Sequence, residues 1–168
     1  MKRILVIGSG GAGKSTVSEE LHKILHLPII RLDEHYWRPG WVRPEHDEWK
    51  KKIKDLIQKD EWIMDGNYQP TLELRLSRAD AIIFMDTPRL VCIIRLIKRR
   101  LTKPKTEIAP GCVERLDRKF MSYIWRYEKT QRPKIIKLLE KYKGEKEIYV
   151  IHSKKEMWSF LKTLPKSF

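Results

Sequence analysis

Short apolar runs alternate with longer amphipathic stretches along the whole chain. Residues 2–7 (K-R-I-L-V-I) form a β-branched run, with others at 27–32, 61–65, 79–86 and 146–151. The 79–86 run is apolar throughout its middle, as a strand buried on both faces requires. Helical periodicity fills the intervals. One helix is predicted from Ser15 to about His26. Another, capped by His46 or Asp47, runs to about Gln58 with a stripe of Trp49, Ile53, Leu56 and Ile57. A short helix follows over 71–76. Thr87-Pro88 marks the start of the next, which continues through Leu101, because a hydroxyl can cap a helix and proline suits its first position. A long helical region over 114–143 is interrupted or kinked at Pro133, and a closing helix spans 157–164. Five strands alternating with helices predict one α/β domain over 1–168, its parallel sheet covered on both sides.

The first strand runs straight into Gly8-Ser9-Gly10-Gly11-Ala12-Gly13-Lys14-Ser15-Thr16. This is G-x-x-x-x-G-K-[ST] without mismatch, between a strand and a helix, where the motif has its physical meaning. Glycines let the backbone turn so that successive N–H groups face a phosphate, and the helix that follows adds its positive end. Lys14 is then the group that reaches the β/γ-phosphates, and the Ser15 hydroxyl takes a place on Mg²⁺. Three further strands end in acids: Asp33, Asp65 and Asp86. Ligands of such sheets gather at the carboxyl ends of the strands, so these carboxylates are expected to converge near the loop. Asp65 and Asp86 would hold the metal mostly through water, while a third carboxylate can accept a proton from an attacking hydroxyl.

Between Asp33 and Pro44 the pattern breaks. The segment D-E-H-Y-W-R-P-G-W-V-R-P reads as a loop, yet it carries Tyr36, Trp37 and Trp41. Aromatics of that size in a loop either dock on the domain or wall a pocket for a flat ligand, and the pocket is the expectation. The Pro/Gly-rich segment at about 102–114 reads as mobile. Charge is just as unevenly placed. The net +14 comes from residues 89–168, with 22 basic and 8 acidic residues, whereas residues 1–88 carry 14 of each. A one-sided field suits polyanions, either nucleotide phosphates or a nucleic-acid backbone. No apolar run approaches a membrane span, and the N-terminal run is too short for a secretory signal, so a cytoplasmic protein is expected. Cys92 and Cys112 cannot make a four-thiolate metal site and are expected to be reduced.

This order of elements and motifs resembles the adenylate kinase and nucleoside-monophosphate kinase superfamily over nearly the whole chain. Residues 32–41 and 62–68 (L-D-E-H-Y-W-R-P-G-W and W-I-M-D-G-N-Y) resemble the DNA topology modulation proteins, which are adenylate kinase-related. The resemblance implies a three-layer α/β/α P-loop NTPase fold, a five-stranded sheet in the order 2-3-1-4-5, and a short helical lid without the zinc ligands of some relatives. It implies that Asp65-Gly66 orders the magnesium water shell, that Arg95 packs on the ATP base and that Arg99 meets phosphate. Arg115, Arg118, Arg126 and Arg132 become lid candidates for a phosphate contact, and 152–155, with Lys154, edges the adenine. Adenylate kinases continue after Asp-Gly with Phe-Pro-Arg, whose arginine grips the acceptor phosphate. Here Asn67-Tyr68-Gln69 follows, although Arg38 or Arg43 is placed to substitute.

The expectation is therefore an Mg-dependent kinase using ATP or another nucleoside triphosphate. Lys14, Arg99 and Arg126 serve transfer and Asp33 is the base. The acceptor, a small-molecule hydroxyl, nucleoside or nucleotide, lies among Asp33, His35, Tyr36, Trp37, Trp41, Asn67 and Tyr68. Two other readings remain open at this level: a nucleotide-binding regulator associated with nucleic acid through 89–168, and a P-loop hydrolase or switch with no second substrate.

Overall fold

The computed structural model describes residues 1–103 and 106–165; Pro104 and Lys105, inside the expected lid, lie outside the described residues. In chain order, β1 (Arg3–Gly8) leads through the glycine-rich loop into α1 (Lys14–Leu25) and then β2 (Ile29–Arg31). Next come α2 (Leu32–Tyr36), α3 (His46–Leu56), β3 (Trp62–Asp65), a 3₁₀ turn at Gln69–Thr71, α4 (Leu72–Arg78) and β4 (Ala81–Met85). Then follow α5 (Arg89–Thr102), β5 (Glu107–Ala109), β6 (Cys112–Val113), α6 (Arg118–Thr130), α7 (Arg132–Lys141), β7 (Glu147–Ile151) and α8 (Lys154–Thr163).

Five strands form one parallel sheet in the order β2-β3-β1-β4-β7. That is the order expected, β7 being its fifth strand. Side chains alternate across it. Leu5, Ile7, Met64, Ile82 and Phe84 face α3, α4 and α7, joined by Trp49, Ile53, Leu72, Leu76, Ile135 and Leu139. Ile4, Val6, Ile63, Ile83 and Met85 pack on the other side with Val17 and Leu21 of α1, Leu96 of α5, and Met157 and Leu161 of α8. Both faces are covered, which is why the strands are apolar at successive positions and not only at alternate ones.

Four local expectations change. The aromatic loop at 33–44 begins as helix α2, so Asp33 stands in its first turn, not at a strand end. It then closes a small hairpin, with Arg38 and Val42 exchanging backbone bonds of 3.0 and 3.3 Å around Gly40 and Trp41. The short helical lid contains an antiparallel hairpin, β5–β6, because Pro110-Gly111 makes a tight turn between two short strands. The 114–143 region is two helices that break at Gln131; Pro133 sits in the first turn of α7, where its missing N–H costs nothing. Finally, α8 starts three residues early because Ser153 caps it and Glu156 returns a bond to the His152 N–H, a reciprocal capping box.

Candidate active site

The glycine-rich loop is shaped by close backbone approach. A Cβ on Gly11, whose φ is +76°, would lie 2.6 Å from the Cys92 carbonyl and 2.9 Å from Leu96, so only glycine lets α5 pack against the loop. The Val17 N–H makes the first intrahelical bond of α1, to Gly13, leaving those of Lys14, Ser15 and Thr16 without helical partners. These donors and the helix dipole form a cradle for phosphate oxygens. Ser15 and Thr16 are exposed, and the Ser9 hydroxyl is buried in the loop without a partner.

The loop is pinned from outside through its carbonyls. Thr87 Oγ1 donates to Ala12 O at 3.0 Å, and Arg95 Nη1 donates to the same oxygen at 3.0 Å. Lys14 Nζ donates to Ser9 O at 3.0 Å and Ser15 Oγ to Asp65 Oδ2 at 2.9 Å. Burial raises the pKa of Asp65, an effect opposed by the Lys14 charge and the Ser15 hydrogen bond and reinforced by Asp33. A serine on the phosphate loop bonded to a buried strand-end carboxylate is a donor set suited to a hard cation.

Opposite this cradle stands a wall of aromatic hydroxyls. Arg31 pairs with Asp65 across β2 and β3, so Asp33, two residues on, lies beside Asp65. Tyr68 donates a short hydrogen bond to Asp33 Oδ1, and burial, with Asp33 adding to it, raises the phenol pKa far above its ordinary range. Asn67 Nδ2 donates to Tyr123 OH at 3.3 Å and Tyr127 OH at 3.5 Å, bringing α6 to the site. Behind them Tyr36, Trp49 and Tyr68 stack with centroids 4.4 to 5.2 Å apart. Trp37 meets Tyr36 at 4.9 Å and Trp41 at 5.0 Å.

Beneath this wall lies Arg75, fully buried and, among the described residues, without an acidic partner. Its guanidinium donates to Gly66 O at 2.8 Å, Tyr68 O at 2.8 Å, Asn67 O at 3.2 Å and Thr71 O at 3.3 Å, fixing the turn that presents Asn67 and Tyr68. Burial lowers its pKa to about 9, which leaves it charged at neutral pH. Sequence reasoning missed Arg75, Tyr123 and Tyr127. The signal for the first was an arginine sharing the buried stripe of Leu72 and Leu76, where only a satisfied charge survives.

Other candidates are placed elsewhere. Asp86 accepts bonds of 2.8 to 3.0 Å from Arg132 and faces His152 Nδ1 at 3.5 Å, so a bidentate guanidinium takes up the expected metal ligand and one lid arginine together. Among the described residues no group of three His, Cys, Asp or Glu is arranged to hold a metal ion; the expected three-carboxylate cluster reduces to Asp65 with Asp33 beside it. Arg99 pairs with the buried Glu114, tying α5 to the segment after β6. His35 lies just over half a turn of helix from Asp33 and lines an outer cleft of about 260 Å³ with Glu34, Trp37, Pro39, Glu48 and Lys52. Burial and then Lys52 lower its pKa. Arg115 lies over Trp41 at 5.7 Å, whereas Arg118, Arg126 and Lys154 are exposed on α6 and α8. Arg38 pairs with Glu48 and Arg43 lies 5.6 Å over Trp37, so the two candidate substitutes for a phosphate-gripping arginine are engaged on the loop's own surface.

The aromatic loop and the hairpin are joined. Gly40 N donates to Gly111 O at 3.3 Å, Cys112 Sγ to Arg38 O at 3.2 Å, and a Cβ on Gly111 would lie 3.0 Å from Pro39. No helix among the described residues is long and apolar enough to cross a membrane.

No protein-family model matches the chain. The uncharacterized protein YqaC of Bacillus subtilis is 26% identical over 112 residues, covering 66% of this chain and 63% of that protein. Adenylate kinase of Thermotoga petrophila is 31% identical over 80 residues, covering 48% of this chain and 36% of the enzyme. The chain thus matches less than two thirds of the length of either relative. Among solved structures, a shikimate kinase from Acinetobacter baumannii in complex with shikimate superposes with a TM-score of 0.64 at 13% identity, over 96% of this chain and 89% of that one. With the parallel sheet order, this likeness gives the chain the three-layer fold of the P-loop kinases.

Proposed function

We propose that the chain is a P-loop kinase that transfers the γ-phosphoryl group of ATP to a hydroxyl of an uncharged small molecule. The observation that carries this reading is the pairing of two unlike halves. A phosphate cradle with its Ser15–Asp65 pair lies beside Asp33, which accepts a hydrogen bond from Tyr68, itself packed on Tyr36 and Trp49, while the neighbouring Asn67 bonds Tyr123 and Tyr127. Lys14 neutralises charge on the β/γ-phosphates as it leaves Ser9 O for the nucleotide. Ser15 and Asp65 would hold magnesium, largely through water, and the bound ion supplies neutralisation of the bridging phosphate oxygens. Asp33 accepts the hydroxyl proton as the acceptor oxygen bonds to the γ-phosphorus and the bond to the β-phosphate oxygen breaks, releasing ADP. Tyr68 orients Asp33 by its hydrogen bond, and Asn67, Tyr123 and Tyr127 read the acceptor's polar edge.

An uncharged acceptor is favoured because the group bonded to Asp33 is the Tyr68 phenol, with Asn67, Tyr123 and Tyr127 next to it, while Arg38 pairs with Glu48 and Arg43 lies over Trp37. The adenylate kinase match and the likeness to a shikimate kinase agree with phosphoryl transfer, the second being the kinase of a hydroxylated ring compound by its name. The test is a screen for ATP consumption and phosphorylated product across polyols, hydroxylated ring acids, nucleosides and their phosphate esters. Turnover with an uncharged polyol or nucleoside, lost in Asp33→Asn, is expected, and turnover confined to the ring acids would overturn the uncharged-acceptor assignment. Turnover confined to phosphate esters would overturn the acceptor assignment, and none with any acceptor would overturn the kinase reading.

A further inference from the structure

Helix α5 presents its inner face to the phosphate loop, with Cys92 and Leu96 buried there. Its outer face is apolar and uncovered. Leu90 is 59% exposed, Ile94 64%, Ile97 45% and Leu101 77%, although a helix of 3.6 residues per turn would ordinarily give polar residues that side. Spacings of four, three and four residues set these side chains in one narrow row opposite Cys92 and Leu96. Such a row is the seam of a helix–helix contact, narrower than the broad apolar face of a helix that lies on a membrane.

We propose that this row is the contact between two copies of the chain, with α5 packed antiparallel on the α5 of a second copy across a two-fold axis. An isologous interface must be complementary to itself. The row meets that condition in both spacing and residue type, because Leu-Ile-Ile-Leu at intervals of four, three and four reads the same in either direction. Leu90 then opposes Leu101 of the second copy, and Ile94 opposes Ile97. On the flanks of the seam the same register brings Lys98 nearest Val91 of the second copy and Arg100 nearest Ile93, so the flanking cations meet aliphatic side chains and not each other. Trp125, also exposed, extends the apolar surface near the N-terminal end of the row, where it stacks on Arg89 at 4.1 Å.

One helix from each copy buries less than the roughly 800 Å² per partner of a standard interface, so the dimer is weak and concentration-dependent. Each copy carries a net charge of +14, so the two repel at long range and salt tightens their association by screening. An anionic partner would show the opposite salt dependence.

Sedimentation velocity of the full chain from low to high micromolar concentration, at low and high salt, tests this. A monomer–dimer equilibrium that strengthens with salt is expected. Ile94→Glu and Ile97→Glu should weaken it by more than about tenfold, since each places a charge in the dry seam. Both sites are exposed in the monomer, so unchanged circular dichroism and thermal melting should accompany the loss. Mixing Leu90→Cys with Leu101→Cys protein should give a disulfide-linked pair more readily than either gives alone. A wild-type chain that stays monomeric throughout would overturn the proposal, as would a dimer indifferent to both glutamates. Preferential self-linking of Leu90→Cys would overturn the antiparallel register. Retention of a monomeric wild-type chain on phosphatidylserine vesicles, lost in Ile94→Glu, would also overturn it and assign the row to a lipid surface.

Discussion

The donor and acceptor halves of the proposed site are built on different principles. The donor half is mostly backbone: a glycine-rich turn, three N–H groups at the start of α1, and carbonyls pinned by Thr87 and Arg95. Backbone groups are the same whatever the sequence, so what selection can act on there is conformation, and conformation is written as glycines at fixed spacing. The acceptor half is mostly side chains, drawn from α2, the turn after β3, and α6. Its identity is carried by which phenol or amide meets Asp33. A cradle of the first kind suits a ligand common to many enzymes, and a wall of the second kind suits one peculiar to this chain.

The sharpest way to break this division is to remove one charged group from each half. Lys14→Ala should reduce turnover by about 10³-fold or more, because it removes the loop's own cation from the β/γ-phosphates of the proposed complex. Steady-state kinetics beside a thermal melt would check it, and full activity in a folded variant would end the kinase reading. Asp33→Asn should cost about 10² to 10⁴ in kcat while ATP affinity stays near wild type, as expected for a proton acceptor that does not touch the nucleotide. If nucleotide affinity alone falls, Asp33 belongs to the donor half and the division is misdrawn.

The same contrast governs how much could be read from sequence. The loop and its strand–helix setting lie within sixteen consecutive residues, so the donor half was legible at once. Asp33 and Asp65 were legible as acids at the edge of an alternating α/β pattern. Tyr123 and Tyr127 were not, since tyrosines four apart beside Ile124 read as the stripe of a packed helix; only the docking of α6 brings them to Asn67. Asp86 misled for the opposite reason. Its place after β4 is right for a ligand, but Arg132, 46 residues away, takes both its oxygens. The β5–β6 hairpin was marked by Pro110-Gly111, a signal that serves equally for a tight turn and for an irregular loop.

A smaller effect should appear at Arg75, where stability and acceptor binding meet. Arg75→Met keeps the length of the side chain but removes the guanidinium's bonds to four carbonyls of the 66–71 turn, of which Tyr68 O keeps those from the Thr71 N–H and hydroxyl. A loss of about 3 kcal/mol is expected in urea unfolding, since each buried acceptor left unpaired costs about 1–3 kcal/mol and part is regained by relaxation and by no longer burying the charge. In the fraction that stays folded, KM for the acceptor should rise more than KM for ATP, because the turn presents Asn67 and Tyr68 and not the phosphate loop. Equal changes in both would mean that the two halves share one support.

The finest discrimination comes from Asp65, the residue on the boundary between the halves. Burial raises its pKa in the folded chain above the unfolded value of 3.8, so folding disfavours its charged form even with Lys14 and Ser15 close by. The folded state therefore binds more protons than the unfolded one between these two pKa values, and stability falls as pH rises through that window. Above it the full cost of the buried charge is present; below 3.8 the group is neutral in both states and the cost vanishes. Asp65→Asn should accordingly raise the melting temperature of the nucleotide-free protein at pH 7, and that gain should fade as pH is lowered through the window and be gone below the unfolded value. Turnover should be lost in the same variant, because the carboxylate that destabilises the fold is the one available to the metal. Melting curves of both proteins across pH, with and without Mg–ATP, would check this. A variant less stable than wild type at neutral pH would mean that Asp65 holds the fold together, and the boundary residue would then be structural.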